Sequence, residues 1–317
     1  MAKRISWPAD IARCSFLFVV VAGSSVRSPV ASTATNAKLG SLMPPAANIP
    51  NTIFLAGPWK PDDTIINNRK FVPHGTQFRY YDYEKVDKSA KDISDNLESL
   101  GVHGAYAALQ QLRPWSFRID LWRFMILWQH GGVYLDSKVM LWRNISDWVD
   151  LSSDDFVACY DPSSPPGKKD YGTPVLAARQ ESPIMLAAIR QVVANIETRY
   201  YGPRKGRYPP SHPNPQLCIT GPCALTQAIE EGGFHPHVTC QQEDWDDSRA
   251  DFRFVSLGPE PVTLMVFDKT MHNAMRTCRN CNSYEYVFLF HAVYCDEPTI
   301  LPDEADPCLK ADRQVGI

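Results

Sequence analysis

The chain has 317 residues, 44% hydrophobic and 21% charged, with a formal net charge of -3. This is an ordinary globular balance, long enough for one large α/β domain with appendages or for two domains. It carries no basic nucleic-acid footprint, so no nucleic-acid partner is expected.

The N-terminus sets the compartment question. Lys3, Arg4 and Arg13 precede a short apolar run at 14–23, about half the length that crosses a bilayer as a helix. A positive flank, a short apolar core and small residues after it describe a secretory signal peptide at 1–23, or a short signal-anchor attaching the chain to a membrane. An organelle transit peptide is the alternative, since no Asp or Glu lies between Asp10 and Asp62. Nine cysteines favour the secretory reading, with the Golgi lumen or secretion as destination. Cys14 falls in the apolar run. Of the rest, Cys218, Cys223, Cys240, Cys278, Cys281 and Cys295 crowd the C-terminal half, with Cys308 close by. They predict a stapled C-terminal part whose connectivity the spacing does not fix. Residues 24–48, rich in Ser, Ala, Pro and Thr, read as a flexible stem.

The folded part opens at residue 49. Ile53, Phe54 and Leu55 predict a buried strand, Thr64 to Lys70 a helix, residues 78–84 a second strand, and residues 88–110 a helical stretch. A strand–helix–strand opening suggests a nucleotide-binding α/β unit. Pro114 then interrupts the pattern before the most informative stretch, Trp115 to Val139.

That stretch predicts a helix, a glycine stop at Gly131-Gly132 and a short buried strand, Val133–Leu135, which delivers Asp136 at its end. Phe117, Leu121, Phe124, Met125 and Trp128 share one face of the helix, and Ile119, Trp122 and Ile126 cover much of the other. A helix apolar nearly all round is buried, yet Ser116, Asp120 and Arg123 share a narrow sector. Asp and Arg are rarely buried unless paired or used. A structural i,i+3 pair is one reading. The other is a cleft, because ligands gather at the carboxyl ends of strands in open α/β sheets.

Further along, Asn144-Ile145-Ser146 is a glycosylation sequon for a secreted chain. Strands are expected at 155–160 and 175–178, a helix from Pro183 to Arg199, and irregular loops at 161–174 and 200–215. In Thr220-Gly221-Pro222-Cys223, Thr220 reads most simply as a helix cap, although such a helix start can also face a ligand. The acidic run 243–247 reads as a solvated loop. His235, His237 and Cys240 read as a turn with solvated histidines rather than a metal site, and Cys278-x-x-Cys281 as disulfide cysteines rather than half a zinc site. His291, in an aromatic run at 284–294, reads as a core histidine.

The stretch from Phe117 to Asp136 resembles the sugar-binding signature of DxD-motif glycosyltransferases, in particular glycosyltransferase family 32. That family includes fungal α-mannosyltransferases and α-galactosyltransferases, and the signature is shared with glucosylating bacterial toxins. Asp120, Arg123, Gly131, Gly132, Tyr134 and Asp136 match its pattern in order and spacing. The opening at 49–58 and the Thr220-Gly221-Pro222 segment resemble its flanking motifs. The resemblance implies a GT-A fold, a Rossmann-like nucleotide-sugar-binding domain over 49–300 with a tail at 301–317. It implies retaining transfer of a hexose from GDP-mannose or UDP-galactose/glucose to a glycan, glycolipid or glycoprotein. Catalytic roles would fall on Asp120, Arg123 and Asp136. The donor would be held by these residues with Tyr134, Lys138, Thr220 and Gly221.

The family's second motif carboxylate, a direct metal ligand, is here Lys138. A protonated lysine offers no oxygen or lone pair to a hard cation. Three readings stay open. Lys138 replaces the divalent metal, Mn²⁺ by the family's habit, as the counter-charge of the diphosphate. Or the metal survives on Asp136 with a distant ligand, His291, Asp296 or Asp268. Or the protein is a catalytically inactive nucleotide-sugar or glycan binder on the same fold. The intact Asp120, Arg123 and glycine–tyrosine–aspartate core favours an active enzyme with altered metal use.

Overall fold

The apolar run at 53–55 forms the strand Thr52–Ala56 (β1), whose last four residues are all buried. A strand covered on both faces belongs in the parallel part of a sheet. There it lies in this computed structural model, which describes residues 48–58, 60–161, 169–200, 215–247, 250–268 and 293–295. β1 pairs in parallel with Gln77–Tyr81 (β2) on one side and Gly132–Leu135 (β3) on the other. The chain reaches β2 through the short helix Asp62–Asn68 (α1) and a 3-10 turn at Arg69–Phe71. It then passes back across β1 by way of Tyr83–Glu98 (α2), Ala105–Gln111 (α3) and Trp115–His130 (α4). The direction of strand addition therefore reverses at β1. That reversal opens a crevice at the carboxyl ends of β1 and β3.

Two expectations shift in this half. The strand expected at 78–84 stops at Tyr81, because Asp82 caps α2 and accepts the Lys85 backbone N–H at 2.9 Å. The helical stretch at 88–110 divides into α2 and α3, with Gly101 and Gly104 at positive φ between them.

After β3 come Val139–Leu141 (β4), Phe156–Asp161 (β5), Asp170–Ala178 (β6), Pro183–Glu197 (α5) and Pro222–Gly232 (α6). His237–Asp247 (β7), Ala250–Ser256 (β8) and Thr263–Asp268 (β9) follow. The nine strands run β2-β1-β3-β6-β5-β7-β8-β9-β4 in one mixed sheet. β4 leaves β3 after only Asp136, Ser137 and Lys138, yet it occupies the far end of that order. The sheet curls to bring its last strand back beside the exit of β3.

The acidic run 243–247, expected as a solvated loop, is the end of β7. Cross-strand pairing absorbs part of its charge, with Glu243 opposite Arg253 at 3.1 Å. The loop expected at 161–174 is shorter than its range, because β6 already begins at Asp170. Cys240 is bonded to Cys159 and Cys218 to Cys223, so the expectation of a disulfide-linked C-terminal part holds. His237 Nδ1 lies 2.9 Å from Asp154. Residues 1–47, His291, Asp296, Cys278, Cys281, Cys308, the 301–317 tail and most of the loop at 200–215 lie outside the described residues. Among the described residues no helix is long and apolar enough to cross a membrane.

Apolar side chains fill both faces of the sheet. Phe54 and Tyr134 pack with α2, α4, α5 and α6, while Ile53, Leu55, Val133 and Leu135 pack with β4 and β9. The period of two along β1 and β3 divides these residues between the two layers. The turn from α4 into β3 depends on glycine. Gly132 has φ 105°, and a Cβ there would stand 2.6 Å from the Thr52 carbonyl oxygen of β1. Because that obstacle is backbone, Gly132→Ala is expected to cost about 2 kcal/mol or more in urea unfolding, from strain and lost strand contact together. An unchanged midpoint would contradict this account of the turn.

Candidate active site

α4 is buried continuously from Asp120 to Trp128, and it takes two charged residues with it. Asp120 has no exposed surface and Arg123 is 5% exposed. Buried charges persist only when paired and hydrogen-bonded, and both are. Arg123 Nη2 lies 2.9 Å from Asp120 Oδ1 and 3.4 Å from Asp136 Oδ1. Its Nη1 donates to the Thr173 carbonyl on β6 at 2.6 Å, and its guanidinium stands 4.6 Å from the centre of the Tyr134 ring. One arginine thus joins the helix, the end of β3 and the neighbouring strand.

Thr220 completes the enclosure. It does not cap α6, whose N-cap is Gly221. Its hydroxyl instead donates to Asp120 Oδ2 at 2.8 Å. Gly221 sits tightly against the Leu217 carbonyl, which a Cβ there would meet at 3.2 Å, while Asp120 Oδ2 would stand at an ordinary contact distance of 3.5 Å. The Cys218–Cys223 disulfide closes the short loop carrying both residues. Asn195 on α5 donates to the carbonyls of Cys218 and Ile219.

Asp136 sits where β3 ends. Its backbone N–H donates to the Pro174 carbonyl and its carbonyl accepts from Val139, so a tight turn carries Asp136, Ser137 and Lys138. The Ser137 hydroxyl donates to the Ala56 carbonyl at 2.5 Å, fastening the turn to the end of β1. The Tyr134 hydroxyl donates to Asp136 Oδ1 at 2.9 Å. Burial pushes the Tyr134 phenol well above its ordinary pKa, against the opposing pull of Arg123, so it stays protonated and remains a donor. Lys138 Nζ lies 4.0 Å from Asp136 Oδ2 and 4.4 Å from the centre of the Phe267 ring.

The structure therefore brings Asp120, Arg123, Tyr134, Asp136, Lys138, Thr220 and Gly221 into one site. Asp268 is next to it through its backbone, its N–H donating to the Lys138 carbonyl at 2.7 Å. The sequence reading missed Thr173, Ser137 and Phe267. Each acts through backbone placement or a contact between distant strands, and none left a local signal.

An enclosed carboxylate–guanidinium set at the switch point of a mixed α/β sheet is the layout of a ligand-binding enzyme site. Residues 65–154, which hold most of it, match the family model described as a glycosyltransferase sugar-binding region containing a DXD motif. That match marks the chain as a transferase. No curated protein matches it. Among solved structures, the PaToxG glycosyltransferase is similar at 16% identity and a TM-score of 0.42, over 60% of this chain and 71% of that one. The UDP-bound glycosyltransferase domain of the YGT toxin is similar at 13% identity and a TM-score of 0.30, over 54% and 52%. A glycosyltransferase acting in glycosylation of the PBCV-1 major capsid gives 15%, 0.26, 53% and 73%. The chain thus spans about half of the YGT toxin domain.

Glycosyltransferases of the DXD type generally bind a divalent metal. Among the described residues the donor set does not fit one. Asp136 Oδ1 is taken by Tyr134 and Arg123, Oδ2 faces the Lys138 ammonium, and the second motif position offers a cation. Among the described residues no three His, Cys, Asp or Glu side chains gather as a metal cluster.

Thr220→Val keeps the volume and removes the donor to Asp120. It is expected to lower stability by about 1–3 kcal/mol in urea unfolding, because a buried carboxylate oxygen loses its partner. A loss no larger than a surface Thr→Val change would show that Asp120 is held without it.

Proposed function

We propose that the protein is a retaining glycosyltransferase of the family 32 type. It moves a hexose from a nucleotide sugar, GDP-mannose or UDP-galactose/glucose, to a glycan, glycolipid or glycoprotein acceptor. The observation that carries this reading is the linked Asp120–Arg123–Asp136 set, enclosed behind the β3 turn and inside the matched region.

In the reaction the acceptor oxygen bonds to the anomeric carbon. The bond to the diphosphate breaks with its electron pair left on the diphosphate, and the acceptor proton departs with it. The chain's task is to orient the sugar and to stabilise the charge that grows on the diphosphate. Asp136 and Lys138, 21% and 26% exposed at their side chains, form the open face and meet the donor first. Arg123 stands behind them as a forked donor. Asp120 and Thr220 keep that fork aimed. Two disulfides and an exposed Asn144 in the sequon support a secretory-pathway setting, with the Golgi lumen first.

The lysine at 138 is the one feature favouring a second reading, a silent nucleotide-sugar binder. Incubating the full chain with UDP- and GDP-sugars and following nucleoside diphosphate release separates the two. Turnover is expected, with the α-anomer retained in the product. Binding without release in the presence of acceptor glycans would support the silent binder. Asp120→Asn preserves the shape and removes the charge that aims Arg123. It is expected to lower kcat about a hundredfold or more while the unfolding curve stays cooperative. Full activity in that variant would refute the site assignment.

A further inference from the structure

Among the described residues, four charged side chains of the site form one connected chain. Asp120 contacts Arg123, Arg123 contacts Asp136, and Asp136 faces Lys138. Two carboxylates meet two cations, so this set is neutral. An aspartate at 138 would leave three carboxylates against one guanidinium, a deficit of two charges, which is the charge a divalent ion supplies. The lysine changes residue 138 by two charge units and closes the same balance with no ion. From this we infer that Lys138 is the built-in cation of the site, and that the protein binds the diphosphate of its nucleotide ligand without a divalent metal. The inference rests on the nucleotide-sugar reading above.

The geometry suits that task. The turn holding Lys138 is fixed at three points: Ser137 to the β1 carbonyl, the Val139 N–H to Asp136, and the Asp268 N–H to the Lys138 carbonyl. The ammonium rests over Phe267 on β9, the strand paired with β4. An aromatic face attracts a cation without neutralising it. At 4.0 Å from Asp136 the contact is loose enough for phosphate oxygens to take the ammonium's remaining donors. Lys138 is also the more accessible of the two cations, since the Arg123 side chain is only 6% exposed. The diphosphate therefore meets the lysine first.

The test measures binding of UDP and of GDP to the full chain by calorimetry, in EDTA and in Mn²⁺, alongside binding of Mn²⁺ alone by electron paramagnetic resonance. The wild type is expected to bind one nucleotide in EDTA with an affinity that Mn²⁺ changes by no more than about twofold, and to take up no stoichiometric Mn²⁺. Lys138→Gln should weaken binding in EDTA by about tenfold or more, the scale of a lost charge-assisted contact, while Lys138→Arg keeps most of it. Lys138→Asp should bind only with Mn²⁺ and should gain Mn²⁺ uptake of its own. The inference is overturned if the wild type needs Mn²⁺ to bind nucleotide, if it takes up Mn²⁺ stoichiometrically, or if Lys138→Gln binds like the wild type in EDTA. Those outcomes leave the glycosyltransferase reading in place. Absence of binding to either nucleotide under every condition would sink both. Cooperative thermal unfolding of each variant separates lost binding from lost folding.

Discussion

The structure depends on a buried ion pair that one helix cannot satisfy alone. Asp120 and Arg123 lie on α4 among apolar side chains, where unpaired charges would cost several kcal/mol each. An i,i+3 contact neutralises them but leaves lone pairs and N–H groups over. Several of those are met from three other places: Thr220 before α6, the Thr173 carbonyl on β6 and Asp136 at the end of β3. The polar demand of one helix sector therefore fixes how four parts of the chain come together. A pair serving stability alone is readily replaced by apolar residues. A charged pair held from several elements beside a crevice agrees with a site where direction of charge matters more than stability.

The second constraint is backbone proximity. α4 ends where the next strand must enter between β1 and β6, and Gly131 and Gly132 make that entry at positive φ. A side chain at either position would meet backbone atoms within 3 Å. Because β3 starts this close to the end of α4, Asp136 returns to Arg123 after only the length of a short strand. The curl of the sheet then brings β9, with Phe267 and Asp268, beside the same turn. Local stereochemistry and long-range topology thus converge on three residues, Asp136 to Lys138.

Much of this was legible in the sequence. An apolar helix with an Asp–Arg sector, a glycine pair and a β-prone triplet ending in Asp pointed to a buried pair or a cleft at Asp120, Arg123 and Asp136, and β1, α5 and the central helix lie within a residue or two of expectation. What was not legible depended on distance along the chain. Thr220 looked like a cap because caps are local and common, whereas its partner lies a hundred residues away. The acidic end of β7 looked solvated because its compensating Arg253 arrives from the next strand. Thr173 contributes a carbonyl, which no side-chain pattern reveals. The disulfides were expected as a class, but their pairing follows from which strands become neighbours.

Lys138 was visible at once as a departure from a carboxylate pair, and the intact motif around it favoured altered metal use over a lesion without deciding it. The surroundings bear on the choice. A lesion leaves partners stranded: a carboxylate facing nothing, or a cation with no counter-charge. Here Asp136 has a contact at each oxygen, and the ammonium has a carboxylate and an aromatic face. The turn beneath is fastened at both ends by hydrogen bonds that do not involve the lysine side chain, so the backbone would present any residue at 138 to the same place. Chemistry at that place, not folding, is what the lysine alters. A cation held by a covalent tether does not have to be recruited from solution, and its position is set by the same turn that sets Asp136. That arrangement suits a site whose ligand is a diphosphate and whose deeper cation, Arg123, is already committed to holding the walls together.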